Sequence, residues 1–190
     1  MFINMGSGMA TFLVRRNSWL RLLSMLGLVL VHQQSYAHPG HADPITISRS
    51  SSVYLQKLLP HYLKIQKALA QEEFNDDVKG AASAIERLGK EASAKETDPS
   101  GRKMFSGVAK WAASIGAAGE VGDAREAFDE LNDVLLPFFN EWPSHLLAHD
   151  LVLYTCNDTK QWWLQTNGDK VADPFRGALV PCDDLVEKER

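Results

Sequence analysis

From Ala124 to Phe138 apolar side chains return every three or four residues, at Ala124, Ala127, Phe128, Leu131, Val134, Leu135 and Phe138. A helix of 3.6 residues per turn gathers such positions onto one face, and a face that wide must be buried against a partner. Asp123 followed by Glu126 has the form of a capping box and predicts where this helix starts. Three earlier segments carry the same spacing. The first runs through Leu55, Leu58, Leu59, Tyr62, Ile65 and Leu69 after a polar stretch from Ile45 to Ser52, with Pro60 expected to kink or restart it. The second has Asn75 or Asp76 as N-cap and a narrow, alanine-rich stripe at Val78, Ala81, Ala82, Ile85, Leu88 and Ala92, which implies close packing. The third follows a polar linker from Lys95 to Gly101 and places Met104, Val108, Trp111, Ile115 and Ala118 together, with Gly119 and Gly122 expected to end it. Four amphipathic segments on short connections predict a mainly α fold, a four-helix up-and-down bundle.

Beyond Pro143 the pattern changes. Leu151-Val152-Leu153-Tyr154-Thr155 and Gln161-Trp162-Trp163-Leu164-Gln165 read as short strands, and Asn157-Asp158 and Asn167-Gly168 supply turns. A small C-terminal hairpin or irregular cap, pinned by Cys156, Cys182 and the run Asp173-Pro174-Phe175-Arg176-Gly177, is expected to seal one side of the bundle. Trp142, Trp162 and Trp163 offer an apolar patch for a partner, or the core of that cap.

The N-terminus reads as an export signal. Arg15, Arg16 and Arg21 lead into an apolar run from Leu22 to Val31, and Ser35-Tyr36-Ala37 places small residues where signal peptidase cuts. The run is too short to span a bilayer. The expected layout is a signal peptide over residues 1–37, a flexible segment over 38–52 and a single helical domain with its cysteine-containing cap over 53–190. Ser18 stands where a twin-arginine signal wants an apolar residue, which favours the general secretory route, and the long charged region is compatible with a start at Met5 or Met9. Export to a periplasmic or extracellular space places Cys156 and Cys182 in an oxidising compartment. A disulfide there would close a loop of about 27 residues, which the chain-entropy model values at roughly 3–4 kcal/mol. Two free thiols in a metal site are the alternative.

A formal net charge of -4 gives no basic footprint for nucleic acid. No nucleophile elbow, phosphate-cradling loop or dinucleotide fingerprint stands out, and Glu72-Glu73 and Asp76-Asp77 sit where acidic groups serve a helix start. The domain is therefore expected to be non-catalytic.

Histidines supply the remaining chemistry. In the expected mature N-terminus, His38-Pro39-Gly40-His41-Ala42-Asp43, Pro39 and Gly40 suit the central positions of a type II turn, which brings the Cα atoms of His38 and His41 within about 7 Å. The free amine and ring of His38, with His41 and Asp43, form a donor set suited to Cu(II), Ni(II) or Zn(II). His145 and His149 are a second pair, spaced to share one helical face, with Ser144 as a possible cap. The alternative is a mobile tail and ordinary surface histidines.

The C-terminal order Tyr154-x-Cys156, Trp163-Leu164-Gln165, Asp173-Pro174-Phe175-Arg176-Gly177 and Cys182 resembles the family known as domain of unknown function 3347, over roughly Tyr54 to Val186. Tyr62, Leu69, Ala81, Arg125 and Phe128 also look similar. The resemblance implies a periplasmic domain, found alone or attached to heavy-metal efflux adaptors, with a copper or other transition-metal ion as cofactor and efflux-pump or other envelope proteins as partners. Family members commonly carry Pro and Met after the first cysteine and Met before the second. Here Asn157 and Asp158 follow Cys156, and Val180 and Pro181 precede Cys182, so those thioether ligands for Cu(I) are absent at both places. A metal-free module that contacts other envelope proteins is the other function class.

Overall fold

The computed structural model describes residues 44–177, 182 and 184–187. The leader, its cut after Ala37, and His38, His41 and Asp43 lie outside the described residues. Four long helices follow in order, α1 (Arg49–Ala70), α2 (Asp76–Lys95), α3 (Pro99–Ala117) and α4 (Val121–Glu141), then a single turn α5 (Ser144–Ala148) and three strands β1 (Leu151–Cys156), β2 (Trp162–Thr166) and β3 (Leu185–Glu187). The fold is a four-helix bundle with a small C-terminal sheet.

The apolar stripes form its core. Every predicted stripe residue is buried except Trp111 and Val134, which are half-buried against the same core. The alanine-rich face of α2 lets α3 approach closely: a Cβ added at Gly89 would come within 2.9 Å of the Phe105 carbonyl and 3.0 Å of the Ala109 Cβ. Consecutive helices pack on one another, whereas α1 and α4 meet at few residues, and β2 lies against both. The sheet thus closes the side of the bundle that the helices leave least covered.

Helix boundaries differ from the sequence reading where tertiary contacts decide them. α1 begins at Arg49, inside the stretch expected to be irregular, and runs without restart through Pro60. Proline removes the donor to the Gln56 carbonyl, but both residues are exposed, so water can take its place. α3 starts at Pro99, with the Asp98 carboxylate accepting from the Ser100 and Gly101 amides, which shortens the expected linker. α4 starts at Val121 with Glu120 as N-cap and no side-chain cap bond. The capping box at Asp123 does not form; Asp123 lies in the first turn and Gly122 inside the helix. Asn75 caps α2 by accepting from Asp77 and Val78.

The hairpin forms as read, with antiparallel register Leu151↔Thr166 through Thr155↔Trp162. Gly168 takes φ +84 in the turn after β2. The third strand, β3, is an addition: it pairs with the other edge of β1, Tyr154↔Glu187 to Cys156↔Leu185, giving the order β2-β1-β3. No helix among the described residues is long and apolar enough to cross a membrane.

Candidate functional site

Cys156 and Cys182 are joined in a disulfide, with Cα atoms 5.8 Å apart. Around it lies a second apolar cluster of Val152, Tyr154, Cys156 and Trp163, to which Phe175, Cys182 and Leu185 pack. Trp163 is fully buried, its ring 5.8 Å from Tyr154 and 6.2 Å from Phe175. Phe175 in turn reaches Phe128 on α4, and Phe128 reaches Tyr62 on α1. An aromatic chain therefore couples the cap to the bundle.

The polar residues of the C-terminal motif are spent on backbone. Gln165 Nε2 donates to the Asp169 and Lys170 carbonyls while its Oε1 accepts from the Ala172 amide. The Ala172 carbonyl accepts from Gln66 Nε2 of α1. Asp173 Oδ1 accepts from the Phe175 and Arg176 amides, making an Asx turn. Arg125 of α4 spans the joint, donating from Nε to the Pro174 carbonyl and from a terminal nitrogen to the Leu69 carbonyl. Gly177 has φ +76, a left-handed conformation that favours glycine, and the Glu72 carboxylate lies over it. Between α1 and this loop a groove of about 620 Å³ is lined in part by Lys64, Lys67, Gln71 and Lys170.

One buried polar node ties the bundle to β2. The Tyr62 hydroxyl donates to Asn132 Oδ1 at 2.7 Å and accepts from the Leu164 amide at 3.0 Å. Burial pushes the Tyr62 phenol far up, more than its hydrogen bonds with Leu164 and Asn132 pull it down, so it stays protonated. Asn132 Nδ2 and Trp163 Nε1 have no partner among the described residues. Tyr62→Phe leaves the Leu164 amide and the Asn132 carbonyl without their shared partner. It is expected to cost about 2–3 kcal/mol in urea unfolding with an unchanged helical spectrum.

His145 is the second residue of α5 and His149 is its C-cap; Pro143 is the N-cap, so Ser144 does not cap the turn. His145 stacks edge-on against Phe138 at 5.0 Å. Burial, and the neighbouring His145, hold the His149 imidazole below the usual histidine range. Immediately before this turn, Glu141 accepts from the Ile45 amide at 2.6 Å and the Trp142 indole donates to the Ile45 carbonyl at 2.9 Å. The tryptophans do not form one patch: Trp163 is buried, Trp162 donates to Asp133 and Trp142 is 41% exposed.

Sequence reasoning missed Glu96, a carboxylate 2% exposed that accepts from the Ser48, Thr97 and Asp98 amides. It also missed the acidic face of α4, where Asp123, Glu126, Asp129, Glu130 and Asp133 surround Trp111. Burial, then Asp133 and Glu130, raise the Asp129 carboxyl against the lowering effect of a Gln161 hydrogen bond. Among the described residues one set of three metal-ligand atoms comes together: the Cys156 and Cys182 sulfurs and an Asp158 carboxylate oxygen, all within 4.8 Å of one another. Sequence reading had weighed the two sulfurs but not the carboxylate. No protein-family model matches the chain, and no curated protein and no solved structure matches it.

Proposed function

We propose that this is an exported, non-catalytic envelope domain that takes a borderline divalent transition-metal ion through its histidines. The ligands are the His38 amine and ring, His41 and Asp43, with His145 and His149 as the secondary pair. One observation carries the reading. Ile45, just downstream of the histidine segment in sequence, is tied to Glu141 and Trp142, the residues that lead directly into the turn bearing His145 and His149. Ile45 therefore lies at the end of the bundle where α4 ends and the turn with His145 and His149 begins. The resemblance to domain of unknown function 3347 points the same way, towards heavy-metal handling beside efflux proteins.

The use of Gln165, Asp173 and Arg125 on backbone groups supports a structural role for the motif they belong to, rather than a catalytic one. Calorimetry with Cu(II) tests the reading. Protein beginning at His38 should bind one ion, and His41→Ala or one residue added before His38 should each weaken binding at least about tenfold. Affinity should fall as pH drops through the histidine and α-amino ranges, because amine and imidazole must lose protons to ligate. Equal binding by the extended His41→Ala protein would overturn the terminal site. The second reading, a metal-free interaction module, is favoured by Trp142 and Leu147, 41% and 56% exposed at this same end. It would be left standing if no ion bound.

A further inference from the structure

We propose a second, redox-gated metal site at the other feature the histidine reading leaves unused: once the disulfide is reduced, Cys156, Cys182 and Asp158 hold one thiophilic divalent ion of the zinc class. The three ligand atoms already lie within 4.8 Å of one another. Tetrahedral zinc with two sulfurs and one carboxylate oxygen needs sulfur–sulfur separations of about 3.8 Å and sulfur–oxygen separations of about 3.5 Å. Breaking the S–S bond lets the sulfurs move apart, and the carboxylate has only a short distance to close. Asp158 is exposed and Cys182 half-buried, whereas Cys156 is fully buried. The ion would sit at the rim of the cap with its fourth position open to water.

The thiols stay together without the covalent bond. β1 and β3 pair through Tyr154↔Glu187, Thr155↔Val186 and Cys156↔Leu185, and the Asn157 amide donates to the Asp184 carbonyl at 3.0 Å. The turn that carries Asp158 is closed separately, by Lys160 donating to the Cys156 carbonyl and Cys156 donating to the Gln161 carbonyl, each at 2.8 Å. The turn that carries Cys156 and Asp158, and the strand that begins three residues after Cys182, are thus held by backbone hydrogen bonds that reduction does not break.

The gating step is thiol–disulfide exchange with a dithiol. One dithiol sulfur attacks Cys182 Sγ, the more accessible partner, and expels the Cys156 thiolate; the second dithiol sulfur then attacks the mixed disulfide and releases the Cys182 thiolate. Two electrons pass from the dithiol, which leaves as a cyclic disulfide, to the cysteine pair. The two protons given up by the dithiol reside on the cysteine thiols until the divalent ion displaces them. The reverse exchange, in which a cyclic disulfide takes up the two electrons and leaves as a dithiol, re-forms the Cys156–Cys182 bond and ejects the ion, since a disulfide offers no thiolate.

The test uses the exported protein reduced with a phosphine, freed of reductant under nitrogen and titrated with Cd(II). Expected are one bound equivalent beyond whatever the oxidised protein takes, and a thiolate-to-cadmium charge-transfer band that the oxidised protein lacks. Asp158→Asn should keep the band and weaken binding at least about tenfold, because loss of a mere supporting group around a metal already costs 10–100-fold. His41→Ala and His145→Ala should leave the band and its affinity unchanged, which separates this site from the histidine site: either can fail alone. The proposal is overturned if the reduced protein gives no charge-transfer band at stoichiometric cadmium, or if Asp158→Asn binds as tightly as the parent. Loss of the cap's near-ultraviolet circular dichroism on reduction, with no recovery when cadmium is added, overturns it as well, since the strands would then not hold the thiols together.

Discussion

Replacing Trp163 with alanine is expected to lower the unfolding free energy by about 3–5 kcal/mol, the range for deleting a large aromatic side chain from a core that can only partly collapse. Trp163 is fully buried and is the centre of the small cluster that the disulfide borders. It also stands in the ring chain from Tyr154 through Phe175 to Phe128 on α4. Removing it leaves a void in that cluster and breaks the ring chain to Phe128, while Leu151, Leu153 and Leu164 still pack into the main core. Trp162, its neighbour in sequence, points to the other face of β2; it is half-buried against the main core, and its indole donates to Asp133 at 3.0 Å. Trp162→Ala is accordingly expected to cost less, about 1–2 kcal/mol. Urea unfolding of the two variants, followed by far- and near-ultraviolet circular dichroism, checks the contrast. Equal losses would mean that Trp163 is not the keystone of the cap.

That contrast was only half legible in the sequence. The alternation of β2 says that Trp162 and Trp163 face opposite ways, but not which faces the bundle, because that depends on α4 supplying Asp133 on one side and Phe175 arriving from twelve residues beyond Trp163 on the other. The helices were legible for a simpler reason: a 3.6-residue period is a local property, and all four stripes became core. Helix starts were less so. Arg49 to Ser52 contains nothing apolar but Ser51 is buried, and these residues are helical because a carboxylate far along the chain receives the amide of Ser48. β3, three residues long, carries too little pattern to be recognised alone and exists because β1 has a second edge. Asn132 sits in the middle of the α4 stripe, between Leu131 and Leu135, and is buried because Tyr62 donates to it. A lone amide at a core position is a readable sign of a buried hydrogen bond, though its partner is not. The C-terminal motif was visible as a pattern of residue types, and its physical meaning became available only when Gln165, Asp173 and Arg125 were seen holding backbone groups.

Glu96 is the residue whose importance nothing local announces, and Glu96→Ala is expected to destabilise the protein by about 3–5 kcal/mol. Its two oxygens are shared between two helix entries. One accepts from the Thr97 and Asp98 amides at 2.7 and 2.9 Å, just ahead of α3, and the other from the Ser48 amide at 2.9 Å, at the N-cap of α1. The Ser48 and Ser51 hydroxyls also turn towards it. Burial alone would push this carboxyl up, but the amides of Asp98, Ser48 and Thr97 and the Ser51 hydroxyl outweigh burial and hold it below the usual carboxylate range. A depressed folded-state value fixes the sign of the pH effect. The unfolded chain binds the proton more readily, so the stabilisation is fully present above the ordinary carboxylate value and is lost as pH falls through the folded one. Asp98, the N-cap of α3, is pushed down to about 2, first by the Ser100 hydroxyl, and loses its contribution as pH falls through that value. Glu96→Gln separates the two, since it keeps one accepting oxygen and removes the titration. Its stability should therefore fall less between neutral pH and the acid limb than that of the parent, while lying below the parent at neutral pH. Urea midpoints measured across this range decide the matter: parallel curves for the parent and Glu96→Gln would show that the acid sensitivity belongs to other carboxylates, and that the Glu96 cap ties α1 to α3 by shape and neutral hydrogen bonding alone.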